Sequence, residues 1–197
     1  MSKLNLHTKK NKSQIVLITI GRVINKAGFD FLLSALLCLK TNGIKFKMHI
    51  VGGGECLSFY QNLSNEMGLA EQVEWHGPIY EECNIQKIMH ESDLFVYGGS
   101  VGLSLIHAFS YGIPGIIHDD LNFHNPEALM LVNNYNGLLY KKNDINDFVC
   151  KVKYLNENRS KLTMMGKNAL NLIDTKLGIH RMKFNFIRAV DKLIDID

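Results

Sequence analysis

The chain has 197 residues, of which 46% are hydrophobic, and its formal net charge is +3. That length supports one domain with a sizeable core and is too short for two full ones. The nearly balanced charge gives no indication of a nucleic-acid-binding stripe or an acidic partner. The four cysteines lie far apart in the sequence, which is typical of reduced thiols in the cytosol.

The first 13 residues carry four lysines and no acidic residue. This composition favours a solvated tail or linker, and the alternative is a contact with an anionic membrane surface. No apolar run reaches the roughly 18 residues of a membrane span, and none resembles a signal peptide. We therefore expect a tail at 1–13, one domain at 14–197, and a cytoplasmic location that is peripheral to the inner face of the membrane at most.

Six short apolar runs predict strands, at 15–20, 46–54, 73–77, 93–98, 115–120 and 137–141. Helical patterns lie between and after them: at 29–40, from Glu55 onward, at 80–92, 103–112 and 126–132, and from Asp144 to the end with breaks near Asn158 and Gly178. Strands that are continuous apolar runs and alternate with helices predict an α/β domain. Its parallel sheet would be covered by helices on both faces.

Glycine-rich turns follow several of the predicted strands. GGGE at 52–55 follows the second, and Gly98, Gly99 and Gly102 follow the fourth, just before a helix. The carboxyl ends of parallel strands meet at one edge, where ligands bind, and free N–H groups at a helix start favour a phosphate. The pattern predicts one anion-binding crevice. It is not a dinucleotide fingerprint, because the glycines at 52–54 follow the second strand and Leu57 stands where another glycine is needed.

The segment GLSLIHAFSYGIPGI, starting at Gly102, carries a family resemblance. It resembles the signature of family-four retaining glycosyltransferases, which have the GT-B architecture of two Rossmann-like domains. The matching positions are Gly102, Leu103, Ala108, Gly112 and Pro114. The two glutamates of that signature are replaced, by Gly99 and His107. A subgroup from bacterial surface-polysaccharide clusters is similar at the His-Ala pair and at the His-Asp pair after the proline.

The resemblance implies that Arg22 and a nearby lysine hold the donor diphosphate and stabilise the leaving phosphate. The family lysine position is Ala27 here, with Lys26 one residue earlier. Arg22 could alternatively form a salt bridge at the strand end. A guanidinium fork suits phosphate oxygens, and an ammonium adds a point charge.

The resemblance also implies that His107 binds the ribose of the donor nucleotide, since an imidazole offers one donor and one acceptor. The alternative is a histidine packed on a helix face. Glu127, after Pro126, either contacts the donor or stabilises a helix start. The other residues implied to contact the donor are Gly21, Gly53, Gly54, Gly77, Gly99, Ser100, Gly102 and Leu103.

His118, Asp119, Asp120 and His124 cluster after the fifth strand. These residue types could bind a divalent ion. They lack tight ligand spacing and the family does not depend on metal, so contacts to a sugar or acceptor are favoured and no metal or cofactor is expected.

The resemblance therefore implies a hexosyltransferase domain that binds a nucleotide diphosphate sugar, UDP-linked. The domain would transfer the sugar to a glycan or lipid-linked acceptor, with a separate N-terminal acceptor domain as its partner. The alternative is a non-catalytic nucleotide-sugar-binding module or split-enzyme subunit. An NAD-dependent oxidoreductase is disfavoured by the missing fingerprint. A nucleotide-sugar epimerase would also need a second domain.

Overall fold

The computed structural model describes residues 14–177, together with Lys183 and Ile187. Within this range six parallel strands form one sheet: β1 (Ile15–Ile20), β2 (Phe46–Val51), β3 (Val73–Gly77), β4 (Leu94–Val96), β5 (Gly115–His118) and β6 (Gly137–Tyr140). The strands lie where the apolar runs predicted them, which confirms the α/β fold. The predicted tail at 1–13 and the break near Gly178 lie outside the described residues.

The strand order is β3-β2-β1-β4-β5-β6. The chain first adds β2 and then β3 on one side of β1. It then crosses to the other side of β1 and adds β4, β5 and β6 there. β1 pairs with β2 over its whole length, from Ile15 opposite Phe46 to Ile20 opposite Val51. The order in which the strands are added therefore reverses between β1 and β4. Sheets of this kind bind ligands beyond the carboxyl ends of the strands at that point.

Between residues 14 and 177 six helices accompany the sheet: α1 (Phe29–Thr41), α2 (Leu57–Glu66), α3 (Glu82–Glu91), α4 (Leu103–Ser110), α5 (Ile145–Glu157) and α6 (Arg159–Leu172), followed by a π-helical turn at Ile173–Leu177. α1 connects β1 to β2, and α4 connects β4 to β5 in the opposite direction along the sheet. Because both connections are right-handed, the two helices lie on opposite faces. The last two helices extend these layers, because α5 packs against α1 and α6 packs against α4.

Two predictions about helices are wrong, one about where a helix begins and one about the type of element. α2 begins at Leu57 instead of Glu55, because the amide of Cys56 donates to Val23 O and holds the preceding residues in a turn. Glu55 is therefore an exposed turn residue that precedes the helix. The segment predicted as a helix at 126–132 is a 3-10 turn at Pro126–Met130, and Ala128 N in it donates to Asn125 O.

A buried ion pair joins the two central strands to α6. Asp93, whose side chain is fully buried, precedes β4 and accepts a hydrogen bond of 2.9 Å from Val16 N in β1. The same carboxylate oxygen lies 3.2 Å from Arg159 Nη1, at the start of α6. Arg159 Nη2 also donates to Gln14 O at 2.9 Å. The aspartate and arginine therefore fasten α6 and the start of β1 to the centre of the sheet.

Candidate functional site

The turns after β1 and β2 are bonded to each other. Gly21 N donates to Val51 O at 3.0 Å, and Val23 N donates to Gly53 O at 2.9 Å. Gly52 has a φ of +146°, and a Cβ on it would overlap Gly21 O. Position 52 therefore requires glycine, because the two strand-end turns approach each other backbone to backbone.

The turns after β1 and β4 also approach each other backbone to backbone, at the point where the order of strand addition reverses. Cβ atoms on Gly28, Gly98 or Gly99 would overlap the backbone of the facing turn. Ser100 N donates to Lys26 O at 3.3 Å across this contact. Gly99 was expected to contact the donor, but the neighbour that requires glycine at 98 and 99 is the chain's own loop at 26–28.

The turn after β3 completes this edge. Gly52 N donates to Gly77 O at 2.8 Å, and a Cβ on Gly53 would contact the ring of Pro78. Gly77 has a φ of +67° and an open space where a Cβ would stand. The structure thus brings Gly21, Gly53, Gly54 and Gly77 together at one edge, and the predicted convergence of strand-end turns is confirmed.

Two cations lie in the loop after β1, at this edge of the sheet. Arg22 and Lys26 are both exposed, whereas Ala27, at the position of the family lysine, is buried at 5% exposure. The positive charge of Arg22 acts on Tyr97 at the end of β4: it opposes the rise in the pKa of Tyr97 that burial causes. Among residues 14–177, none of the ion pairs involves Arg22, so the salt-bridge alternative has no support there.

The start of α4 borders the same crevice. The first N–H groups of a helix have no intrahelical acceptor, and no side chain caps α4 at Gly102. Leu103, the first helical residue, is 73% exposed. Just before it, Val101 N donates to His124 Nδ1 at 3.1 Å, so one amide of this loop is already bonded.

His107 does not stand alone on α4. Its Nε2 lies 3.0 Å from Glu82 Oε1, at the start of α3, and Tyr111 OH donates to the same carboxylate oxygen. Hydrogen bonds from Tyr111 and from His107 lower the pKa of Glu82, so the carboxylate is ionised at neutral pH. The structure therefore supplies a carboxylate beside the position where the family signature has a glutamate.

The loop after β5 is held by its own contacts. His124 accepts from Val101 N through Nδ1, so its Nε2 carries the proton and donates to His118 O at 3.0 Å. Asp120 is paired with Lys142 Nζ at 2.7 Å, and Asp119 accepts from Lys142 N at 3.0 Å. The four residues predicted as a cluster are thus engaged mainly with the chain around them.

Two groups in this loop keep unused polar atoms. His118 is 2% exposed, burial lowers its pKa to about 4, and neither of its ring nitrogens has a hydrogen-bond partner among the described residues. Glu127 Oε2 is enclosed and also lacks such a partner within 14–177. Because these atoms are enclosed, a ligand at the carboxyl end of β5 does not reach them.

The family model described as "Glycosyl transferases group 1" matches residues 4–172. That match covers most of the chain. The chain belongs to the glycosyl transferases group 1 family. It is also similar to the lipopolysaccharide 1,6-galactosyltransferase of Salmonella typhimurium, with 32% identity over 114 residues. That alignment covers 56% of this chain and 31% of the relative, so the matched stretch corresponds to less than a third of the longer enzyme.

Solved structures show the fold of this group 1 glycosyltransferase chain. TarM from S. aureus, in complex with fondaparinux, alpha-GlcNAc-glycerol and UDP, is similar with a TM-score of 0.72 and 23% identity over 85% of this chain and 34% of that one. HepE from Anabaena, in complex with UDP and glucose, gives 0.77 and 14% over 91% and 49%. The described fold is therefore one Rossmann-like domain of a GT-B glycosyltransferase.

Glu82 and Tyr111 are residues of this group 1 domain that the sequence did not single out. The local pattern gave a weak signal, since an acidic residue at a helix start is usual for electrostatic reasons. Their meeting with His107 depends on how the crossover from β3 to β4 lays α3 beside α4.

Among the residues that the structure describes, no helix is both long and apolar enough to cross a bilayer.

Proposed function

We propose that this chain is the donor-binding domain of a retaining hexosyltransferase that takes a UDP-linked sugar and extends a glycan or lipid-linked acceptor. The observation that carries the proposal is the meeting of the turns after β1, β2, β3 and β4 at one edge of the sheet, beside two exposed cations. The UDP held by TarM and HepE supports the choice of nucleotide. The galactosyltransferase of Salmonella supports a hexose.

In this proposal the diphosphate lies between Arg22, Lys26 and the start of α4. Arg22 binds phosphate oxygens through its planar fork, and Lys26 adds charge from the same loop. The free amides at the helix start and the helix dipole favour the same anion. As the sugar–phosphate bond breaks, these groups stabilise the charge that develops on the leaving phosphate.

The ribose lies beside His107 and Glu82. An ionised carboxylate accepts hydrogen bonds from both hydroxyls of a diol more strongly than a neutral imidazole does. Glu82 is 63% exposed, so one face of its carboxylate is open to a ligand while His107 and Tyr111 hold it from the other. The nucleoside diphosphate without its 2′-hydroxyl tests this contact in the titration described below.

The transferred sugar lies toward the end of β5, where the side chain of Asp119 is exposed. We place the second, acceptor-binding domain across this edge, where Leu103 is exposed and the strand-end loops face outward. A lipid-linked or glycan acceptor would be met at the cytoplasmic face of a membrane.

One observation favours a second candidate, a nucleotide-sugar-binding module that performs no transfer. The family glutamate position is Gly99, and the space in which a side chain would start is filled by Lys26 O. A carboxylate cannot be restored there without moving the facing turn. Binding of UDP-sugar without transfer, even after the acceptor domain is supplied, would establish this alternative.

UDP is expected to bind this chain in the presence of a chelator. Calorimetric titrations with UDP, GDP and 2′-deoxy-UDP, each with and without EDTA, measure the affinity and its dependence on metal and ribose. We expect UDP to bind with EDTA present and 2′-deoxy-UDP to bind more weakly. Absence of heat for every nucleoside diphosphate, or binding abolished by EDTA, would contradict the donor site as proposed.

Arg22→Ala is expected to weaken UDP binding by about 1.5–3 kcal/mol, the scale of a hydrogen bond to a charged group. Lys26→Ala should weaken UDP binding less. Lys26 lies one residue before the family lysine position, so its ammonium reaches the phosphate only through a flexible side chain. Calorimetry on the two variants gives the comparison, with Lys153→Ala on the exposed face of α5 as the control. A larger loss for Lys26→Ala than for Arg22→Ala would show that the loop at 21–28 is misassigned.

A further inference from the structure

Two histidines and a glutamate lie together at the outer edge of the sheet. His49 in β2 is the register partner of Glu74 in β3, and His76 follows Glu74 by two residues on the same face. His49 Nδ1 lies 2.9 Å from His76 Nε2 and 3.7 Å from Glu74 Oε2. One ligand atom from each of the three residues falls within 4.8 Å of the other two.

This cluster lies on the face of the sheet opposite α1. Trp75, between Glu74 and His76, packs on Phe29 of α1 with ring centroids 5.8 Å apart. Since successive side chains of a strand alternate, Glu74 and His76 point to the opposite face. That face is covered by α3, whose last residue, Glu91, places a carboxylate oxygen 3.9 Å from His49 Nε2.

Both imidazoles are in the state that a metal requires. Burial lowers the pKa of His49 to about 4 and also lowers the pKa of His76, so both rings are neutral at pH 7 and each keeps a lone pair. His49 is 2% exposed and its Nε2 has no hydrogen-bond partner among the described residues. Nε2 faces the Glu91 carboxylate at 3.9 Å, so Nδ1 is the nitrogen directed at His76 and Glu74.

We propose that His49 Nδ1, His76 Nε2 and the Glu74 carboxylate bind a zinc ion, with a fourth position open to water. Two imidazoles and a carboxylate are a ligand set typical of zinc. Zinc–nitrogen distances of about 2.0–2.1 Å in a tetrahedron separate the nitrogens by about 3.3 Å, so the two rings need to part by only a few tenths of an ångström.

The surroundings fit this assignment. When Nδ1 of His49 binds the metal, Nε2 carries the proton, and Glu91 stands where an orienting carboxylate is usually found behind a ligating histidine. Glu74 is 49% exposed, which leaves a path for the ion from solvent. Zinc bound here ties the edge strand β3 to β2, just before Gly77 at the crevice.

One neighbour competes with the ion. Lys47 Nζ lies 2.7 Å from Glu74 Oε2, so its ammonium occupies the oxygen that the metal would take. The lysine side chain is 39% exposed and can move into solvent. Its removal should therefore strengthen zinc binding, which a simple surface salt bridge would not predict.

The test uses the untagged chain, stripped with EDTA and dialysed, and titrated with ZnCl₂ by calorimetry, with the melting temperature followed in parallel. Co²⁺ serves as a spectroscopic probe, because tetrahedral nitrogen and oxygen ligation gives intense visible bands. We expect one zinc per chain, a higher melting temperature with zinc, and affinity reduced at least about tenfold in His76→Gln and in Glu74→Gln, the scale of losing even an outer partner.

His90→Gln is the matched control, since His90 is an exposed histidine of α3 outside the cluster. It should leave zinc affinity unchanged, whereas Lys47→Met should raise it. Glu74→Gln keeps the shape of an exposed side chain, so a folded variant is available even if His76→Gln fails to fold. Zinc affinity that is equal in Glu74→Gln and the unaltered chain, or absence of any zinc binding, would show that these histidines are only a hydrogen-bonded pair.

Discussion

Asp93→Ala is expected to lower the free energy of unfolding by about 3–5 kcal/mol, the scale for removing one partner of a buried ion pair. The carboxylate accepts from Val16 N and lies 3.2 Å from Arg159 Nη1. Without it, a strand amide and part of a guanidinium stay buried with their charge and hydrogen-bonding capacity uncompensated. Chemical denaturation monitored by circular dichroism gives the difference between the variant and the unaltered chain.

Glu157→Ala is the control for this experiment. Glu157 forms an exposed pair with Lys153 at 4.0 Å along α5, and such pairs contribute about 0.3–0.5 kcal/mol. Asp93→Asn should fall between the two, because an amide oxygen can still accept from Val16 N while the charge opposite Arg159 is lost. A cost below about 1 kcal/mol for Asp93→Ala would mean that the ion pair is not what fastens α6 to the sheet.

The sequence was sufficient for the fold because each strand of a fully covered parallel sheet is an unbroken apolar run. IVLITI is buried along almost all of β1, and the glycines at 52–54 mark the end of β2. The strand ends then determine where the loops meet. Placing the crevice at the carboxyl edge therefore needed no knowledge of side-chain contacts.

Details of the site depended on contacts between distant parts of the chain. Gly99 had been expected to face a ligand, yet the neighbour that forbids a side chain there is the loop at 26–28. The carboxylate beside His107 comes from Glu82, 25 residues earlier. Spacing within one helix cannot reveal such a partner, because it arises when two crossover helices are laid side by side on the sheet.

Purified by itself, this 197-residue chain is expected to bind donor but to show negligible sugar transfer. Transfer requires donor and acceptor to be held in a reactive geometry in a cleft that excludes water. The parts of the chain that match the galactosyltransferase relative and TarM cover 31% and 34% of those proteins, and the proposed donor domain would provide one side of such a cleft. Its helices α5 and α6 are packed on α1 and α4, so they are occupied in covering the sheet.

A transfer assay measures this directly: the chain is incubated with a panel of nucleotide sugars and with oligosaccharide or lipid-linked acceptors, and product is followed against time. We expect no saturable transfer by the lone chain, and activity when an N-terminal acceptor domain is supplied, fused or separate. Arg22→Ala in the reconstituted enzyme is the control, and it should abolish most of the regained rate, since Arg22 is proposed to stabilise the leaving diphosphate. Saturable transfer by the lone chain would instead mean that loops of this domain, around the exposed Leu103, complete the acceptor site without a second domain.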